Sequence, residues 1–253
     1  MIRLQDEAFV LDAHELGESD LIVALFTVEH GKVRAVARGA RRSRRRFGGL
    51  LQPLTRVRAS WVERDGRELQ RLESLDEIHS FAAMQSDPAR QAACAILAEL
   101  TAAFSHPGQS DKDEFRLLGA SLEAMEQGVD PAAVVRYFEY WTLRVHGLLP
   151  DLHACAGCGR DLMREARRVS GEGVLCGDCP SEGREARLNG AEFEFLEALR
   201  RTAPGKLTVK APRTGGALEL LLRGSLEAFC ERRFRTYRHF KSASLPIGEG
   251  DAR

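Results

Sequence analysis

The sequence predicts an α+β chain of several domains: an N-terminal β-barrel, a C-terminal helical bundle, and a cysteine-rich module inserted into the helical part. Three observations carry this. Five short apolar segments are punctuated by glycines across residues 6–76. Beyond residue 80 the apolar spacing changes from two to between three and four. Residues 151–188 hold few large apolar groups but four closely placed cysteines, and a stretch that cannot build a core needs a staple.

The five predicted strands are EAFVLDAH, SDLIVALFTV, KVRAVARG, PLTRVRASWVE and RELQRLESL, separated by Gly17, Gly31, Gly39, Gly48–Gly49 and Gly66. Five short strands in about 75 residues suit a small barrel, of which the OB-fold is one kind. In the last segment Leu69, Leu72 and Leu75 also fit a helical spacing. Side chains alternate faces along a strand. Lys32, Arg34 and Arg38 therefore share a face, as do Arg56 and Arg58, with Val33, Ala35, Ala37, Val57, Ala59 and Trp61 pointing the other way, which gives a core face and a basic face on the same strands.

Helices are expected next. Asp87–Pro88 supplies a cap and a first-turn proline for a helix with Ala93, Leu97, Leu100 and Phe104 on one face. A second covers 112–127 and stops at Gly128. A third starts at Asp130–Pro131 and carries Val134, Phe138, Trp141, Val145 and Leu148 on a stripe, ending at Gly147 and Pro150. Asn189 caps a fourth, with Glu192 at the capping-box position. A last helix is predicted over 216–240, with Leu222, Leu226, Phe229, Phe234 and Tyr237 inward. The division is thus 1–80 barrel, 81–150 helical domain, 151–188 cysteine module, 189–241 returning helices, and a disordered tail over 242–253.

The sharpest chemical signal is C-x2-C-x17-C-x2-C: Cys155, Cys158, Cys176 and Cys179. Each CxxC turn aims two thiolates at one ion, and two turns close a tetrahedral shell, so one structural Zn²⁺ is expected. Four protein ligands leave no position for water or substrate. Gly157, Gly159 and Gly177 are expected to permit the turns, and Arg160, Arg164, Arg167 and Arg168 to offset the charge of the four thiolates. His153 reads as a loop histidine, and Cys94 and Cys230 as buried small side chains.

Formal net charge is zero, with 37 basic and 37 acidic residues, yet the distribution is uneven. Residues 1–29 hold seven acids and one base; residues 30–62 hold ten bases and no acid. A phosphate senses the local patch more than the total, because salt screens beyond about 8–10 Å. The ten are Lys32, Arg34, Arg38, Arg41, Arg42, Arg44, Arg45, Arg46, Arg56 and Arg58, and all are expected to bind DNA. Arginine presents a fork of donors suited to phosphate oxygens. Phe47, at the end of the ARGARRSRRRFGG loop, either stacks on a base or anchors the loop. A weaker basic segment, Arg232, Arg233, Arg235, Arg238, His239 and Lys241, is a second DNA contact or a solvated helix end.

The chain has no Walker loop, HExxH, G-x-S-x-G or G-x-G-x-x-G. Together with a closed metal site, this points to binding without catalysis. No run of 18 apolar residues and no basic-then-apolar start are found, so a cytoplasmic, nucleoid-associated protein with no membrane partner is expected.

EAFVLDAHELGESDLIVALFTVEHGKVRAVARGARR and the following LLQPLTRV resemble the opening of the RecO family of bacterial recombination mediators. LRVHGLLPDLHACAGCG resembles that family's run into its zinc knuckle, and LEAFCERRFRTYRHFKS its closing helix. The resemblance implies an OB-fold, a helical domain and a zinc module. It implies binding of single- and double-stranded DNA, strand annealing, and work with RecR to place RecA on DNA coated by single-strand-binding protein. By motif, Arg34, Arg38, Arg41, Arg42, Arg44, Arg56 and Arg58 are its DNA-binding positions. RecR would contact the barrel, the RecA filament would be reached indirectly, and the acidic tail of the single-strand-binding protein would enter a groove on the helices with Arg136 or Arg144 at its rim. Two rivals stand beside this: a zinc-ribbon nucleic-acid modifying enzyme, and an RNA-binding factor with an OB-fold.

Overall fold

The computed structural model describes residues 1–42, 47–64, 66–162, 167–170, 173–180, 186–212 and 215–243. All five predicted strands form: β1 (Ile2–Leu16), β2 (Asp20–Thr27), β3 (Gly31–Ala37), β4 (Arg56–Glu63) and β5 (Gln70–His79). They close a barrel in the order β1-β2-β3-β5-β4. Every pairing is antiparallel except the short β3–β5 contact, Ala35↔Gln70 to Ala37↔Leu72.

β1 begins well before the expected Glu7 because it serves two neighbours. Its first half pairs with β4, from Ile2↔Glu63 to Phe9↔Arg56, and its second half with β2, from Ala8↔Thr27 to Leu16↔Asp20. The first half is largely polar or exposed, so no alternation announces it. β5 resolves as a strand despite its helical leucine spacing. Its register jumps between Ser60↔Ser74 and Trp61↔Leu72, bulging out Glu73. A bulge inserts one extra residue, which is how Leu72 and Leu75, three apart, both reach the core. Strand parity holds on β3 and β4: Val33, Ala35, Ala37, Val57, Ala59 and Trp61 are buried, while Arg34 and Arg58 are exposed.

The helices are α1 (Pro88–Phe104), α2 (Lys112–Glu126), α3 (Pro131–Val145), α4 (Gly190–Arg201), α5 (Ala217–Phe229) and α6 (Tyr237–Ala243); between α3 and α4 lies a small sheet of β6 (Arg167–Ser170), β7 (Gly173–Leu175) and β8 (Ala186–Leu188) in the order β7-β6-β8. The predicted caps form. Asp87 accepts from the amides of Ala89 and Arg90, Asp130 from Ala132, and Asn189 and Glu192 make a reciprocal box at 2.9 and 3.0 Å. None of the described helices is long and apolar enough to cross a membrane.

The single helix expected over 216–240 is two. The chain turns at Glu231, φ +50°, after Phe229, which is 55% exposed rather than inward. Phe234, Tyr237 and Phe240 follow that turn. The elbow buries all three, and Glu227 Oε1 accepts from the freed amide of Phe234 at 3.2 Å. Val145, expected inward on α3, is exposed past the last packed turn.

The chain forms two compact units, Met1–Leu122 and Glu123–Arg253. In the first, Phe115 of α2 lies 4.8 Å from Phe9 and 5.7 Å from Phe26, ring to ring. Gly31, φ +62°, sits so close to the carbonyls of His106 and Gln109 that no Cβ fits there. In the second, α3 packs on α5 and α4, with the Trp141 indole donating to Leu199 O at 2.9 Å.

Candidate metal centre and nucleic-acid interface

The four predicted cysteines converge, with all Sγ atoms within 4.8 Å of one another. Cys155 Sγ is 3.7 Å from Cys179 Sγ, and Cys158 Sγ is 3.8 Å from Cys176 Sγ. Four sulfurs about 2.3 Å from a central ion would stand roughly 3.8 Å apart, so the residues present fit a tetrahedrally held metal. The separation is far from a disulfide's ~2.0 Å, and all four are free thiols.

The two turns are built locally. Cys155 N–H donates to Arg160 O and Gly159 N–H to Cys155 O, both at 2.8 Å, closing the first turn. Gly159 has φ +73°, and a Cβ at Gly157 would press on Cys179 Sγ. Gly177, by contrast, is neither crowded nor left-handed; the expectation that it serves the turn finds no support in its geometry. Backbone amides around Cys155, led by Cys176 N–H, pull its thiol down to about 6, and the Asp178 amide lowers Cys176. Its sulfur neighbours push Cys179 up to about 12. Crowded thiols cannot all ionise without a cation between them.

Arg168 is buried and clamps the second turn, its guanidinium donating to the carbonyls of Cys176, at 2.7 and 3.0 Å, and of Cys179. Arg160 instead pairs with Asp178 at 2.7 Å. Arg164, and the side chain of Arg167, lie outside the described residues. His153 is not among the converging ligands. Cys94 and Cys230 are half-buried, and burial pushes the Cys94 thiol up to about 12.

The ten predicted DNA-binding residues separate in space. On β3, Lys32 Nζ donates to Ala102 O near the end of α1 at 2.7 Å and Arg34 pairs with Glu68 at 3.5 Å; just past the strand, Arg38 opens onto a cleft. Beyond β3, Arg41 pairs with Glu15 at 3.1 Å and Arg42 lies 3.7 Å from Glu18. On β4, Arg56 is held by Glu7 at 2.5 Å and lies 5.9 Å from the Phe9 ring centre. Arg58 stands in register between Glu7 and Asp76. β5 lies between the two basic strands, so they form no single face. Arg44, Arg45 and Arg46 lie outside the described residues.

The loop's stem is fixed on both sides. Asp20 accepts from Gly39 N–H at 2.8 Å and Arg41 N–H donates to Ser19 O at 3.1 Å. The Gly39 amide, then Ser19, hold the Asp20 carboxyl below its usual value. Phe47 is 1% exposed inside the barrel core. It is an anchor and has no free face for a base.

Sequence alone missed Arg64, Arg67 and Arg71. With Arg38 they line a cleft of about 470 Å³ whose other walls include Leu16, Asp20, Val36, Glu68 and Leu69. The β1–β2 turn, the end of β3 and the β4–β5 loop meet there, as in the loops an OB barrel uses for oligonucleotides. The segment 63–80 has six acids to three bases, which hid these arginines; the outward parity of Arg71 beside inward Leu72 was the available signal. A second hollow, with His30, Lys32, Arg34 and Trp61, shares Arg67, Glu68 and Gln70 with the first.

In the second unit, Arg136 is buried against Glu139 at 2.9 Å, which removes it from any groove rim. Arg144 is exposed, 5.4 Å from the Trp141 ring centre, at a hollow of about 200 Å³ walled by Tyr140, Leu149, Phe193 and Leu196, with Arg200 also lining it.

Residues 1–81 match the family model "Recombination protein O N terminal" and residues 85–235 match "Recombination protein O C terminal". A DNA repair protein RecO of Anaeromyxobacter sp. (strain K) is 39% identical over 256 aligned positions, covering 98% of this chain and all of the relative. That of Geobacter sulfurreducens is 36% identical over 89% of this chain and 92% of its own length. That of Symbiobacterium thermophilum is 34% identical over 93% of each. Matched along nearly its whole length by both family models and by these relatives, the chain belongs to the recombination protein O family.

Proposed function

We propose that this chain is a DNA-binding mediator of recombinational repair that works without catalysis. The observation that carries this is the cleft on the barrel where Arg38, Arg64, Arg67 and Arg71 converge from three chain segments. Four guanidinium groups at loops suited to oligonucleotides hold phosphates. The barrel, 1–80, takes single- and double-stranded DNA, with Arg34, Arg41, Arg42 and Arg58 at its margins and Arg44, Arg45 and Arg46 contributing charge from the loop. Lys32 and Arg56, already engaged by protein acceptors, contribute least.

Cys155, Cys158, Cys176 and Cys179 hold one Zn²⁺, which supplies no chemistry beyond tying module 151–188 together, since four thiolates complete its shell. RecR docks on the barrel. The hollow at Arg144 takes the acidic tail of single-strand-binding protein, with Tyr140, Leu149, Phe193 and Leu196 as apolar wall and Arg144 as its cation, while Arg200 is paired with Glu197 at 3.1 Å. Strands held this way are annealed, and RecA is helped onto coated DNA, in the cytoplasm at the nucleoid.

The test is annealing of complementary strands without ATP across a salt series. Log affinity is expected to fall with log salt at a slope near −4 for about six phosphate contacts at ~0.7 each. Replacing Arg38, Arg67 and Arg71 by Ala should cut that slope by about 2. A protein that neither binds nor anneals DNA at low salt would falsify the proposal.

A further inference from the structure

On the barrel, carboxylates meet Arg34, Arg41, Arg42 and Arg56; the α5–α6 elbow carries a further set of bases. Between Glu231 and Tyr237 the chain buries Phe234, and α6 buries Tyr237 and Phe240. The residues between these anchors, Arg232, Arg233, Arg235, Arg238 and His239, are exposed. Among the described residues no carboxylate pairs with Arg232, Arg233 or Arg238; Arg232 instead lies over the Phe234 ring, 5.1 Å from its centre. No acid occurs from Arg232 to Lys241. The backbone is fixed by Arg232 N–H to Glu227 O at 3.2 Å and Phe234 N–H to Glu227 Oε1. Three residues before Arg232, Phe229 exposes 55% of its surface at the end of α5.

Packed guanidinium groups without counter-charge repel one another, and a polyanion relieves that repulsion by releasing its own counterions. Arginine forks match phosphate oxygens, and an exposed aromatic beside them gives a stacking face that any base accepts. We propose that the α5–α6 elbow is a second strand-binding surface, taking the phosphate backbone of single-stranded nucleic acid on Arg232, Arg233 and Arg238 with Phe229 as its stacking face. It rests on the reading of the chain as a DNA binder and adds that each compact unit holds its own strand. One chain can then retain two strands at once, which raises the local concentration of one for the other.

The test uses the full-length protein in four forms: unaltered, Arg233→Ala with Arg238→Ala, Arg38→Ala with Arg67→Ala and Arg71→Ala, and all five together. Affinity for labelled oligothymidylate is measured against salt, as is capture of a second, non-complementary strand by protein already holding a bead-bound one. The elbow pair should lower the salt slope by about 1.4, from ~0.7 per phosphate, and abolish second-strand capture. The barrel triple should keep a salt-dependent affinity that the combined form loses. Photo-crosslinking should place thymidine on residues 229–243. An elbow pair with unaltered slope, capture and crosslinks overturns the proposal while leaving the barrel reading intact. So does an elbow that binds anionic vesicles and is indifferent to DNA. If the unaltered protein holds no strand at all, both proposals fail.

Discussion

At the residue scale, the chemistry of single side chains follows from who their neighbours are. Glu139 is fully buried, and burial pushes its carboxyl up to about 7 against the opposing pull of Arg136 and of the Tyr237 hydroxyl, which donates at 2.5 Å. The same burial raises Tyr237 well above its ordinary value. Because the folded form of Glu139 binds its proton more tightly than the unfolded chain does, its contribution to stability is fully present below the ordinary carboxylate value. That contribution is lost as pH rises toward 7. The thermal stability of the second unit should therefore fall between about pH 4.5 and pH 7, and Glu139→Gln should flatten that slope; a profile unchanged by the substitution would show that Glu139 is already ionised. Cys176 sits where both turns and the Arg168 clamp meet. Cys176→Ser should take metal content from about one ion per chain to near none. It should open residues 151–188 to protease with the barrel's unfolding unaltered, and full retention of metal would contradict it.

At the element scale, the barrel shows which patterns speak plainly and which mislead. Alternation in β3 and β4 fixed parity without ambiguity, because both strands present one apolar and one charged face. β5 was ambiguous for a physical reason: the bulge at Glu73 makes two core leucines three apart, a helix's signature. The elbow after α5 was invisible because aromatic spacing across a turn can mimic a continuing stripe. Phe47 illustrates the same limit, since a phenylalanine after a run of arginines fits either a base or a core. Its burial decides the matter. Phe47→Ala should destabilise the barrel by about 3–5 kcal/mol in urea unfolding, as for other buried aromatic truncations. A loss of DNA affinity at unchanged stability would instead restore the stacking role.

At the scale of the whole molecule, charge is redistributed by folding. The acid-rich residues 1–29 and the acid-free residues 30–62 lie side by side across β1–β4, so Glu7, Glu15 and Glu18 answer Arg56, Arg41 and Arg42. Glu68 answers Arg34 from the other side. Surface pairs of this kind are worth about 0.2–1 kcal/mol. They compete with phosphate for the same guanidinium groups. Glu68→Gln should leave the unfolding midpoint unmoved yet raise affinity for DNA about two- to fivefold at low salt, the equivalent of one such pair, with the gain fading as salt rises. Equal affinities at low salt would mean that Arg34 takes no part.

By itself the sequence determined the five strands and their parity, the helix caps, the four convergent cysteines and the family, because each rests on local spacing or on short motifs that act within one or two turns of chain. Only the tertiary structure decided which arginines stand together. Arg38 comes from the turn that follows β3, Arg64 and Arg67 from the β4–β5 loop and Arg71 from β5. The parallel β3–β5 pair that brings them together joins strands more than thirty residues apart. Counter-charges and clefts are properties of neighbours in space, and in a closed barrel those neighbours come from distant parts of the chain.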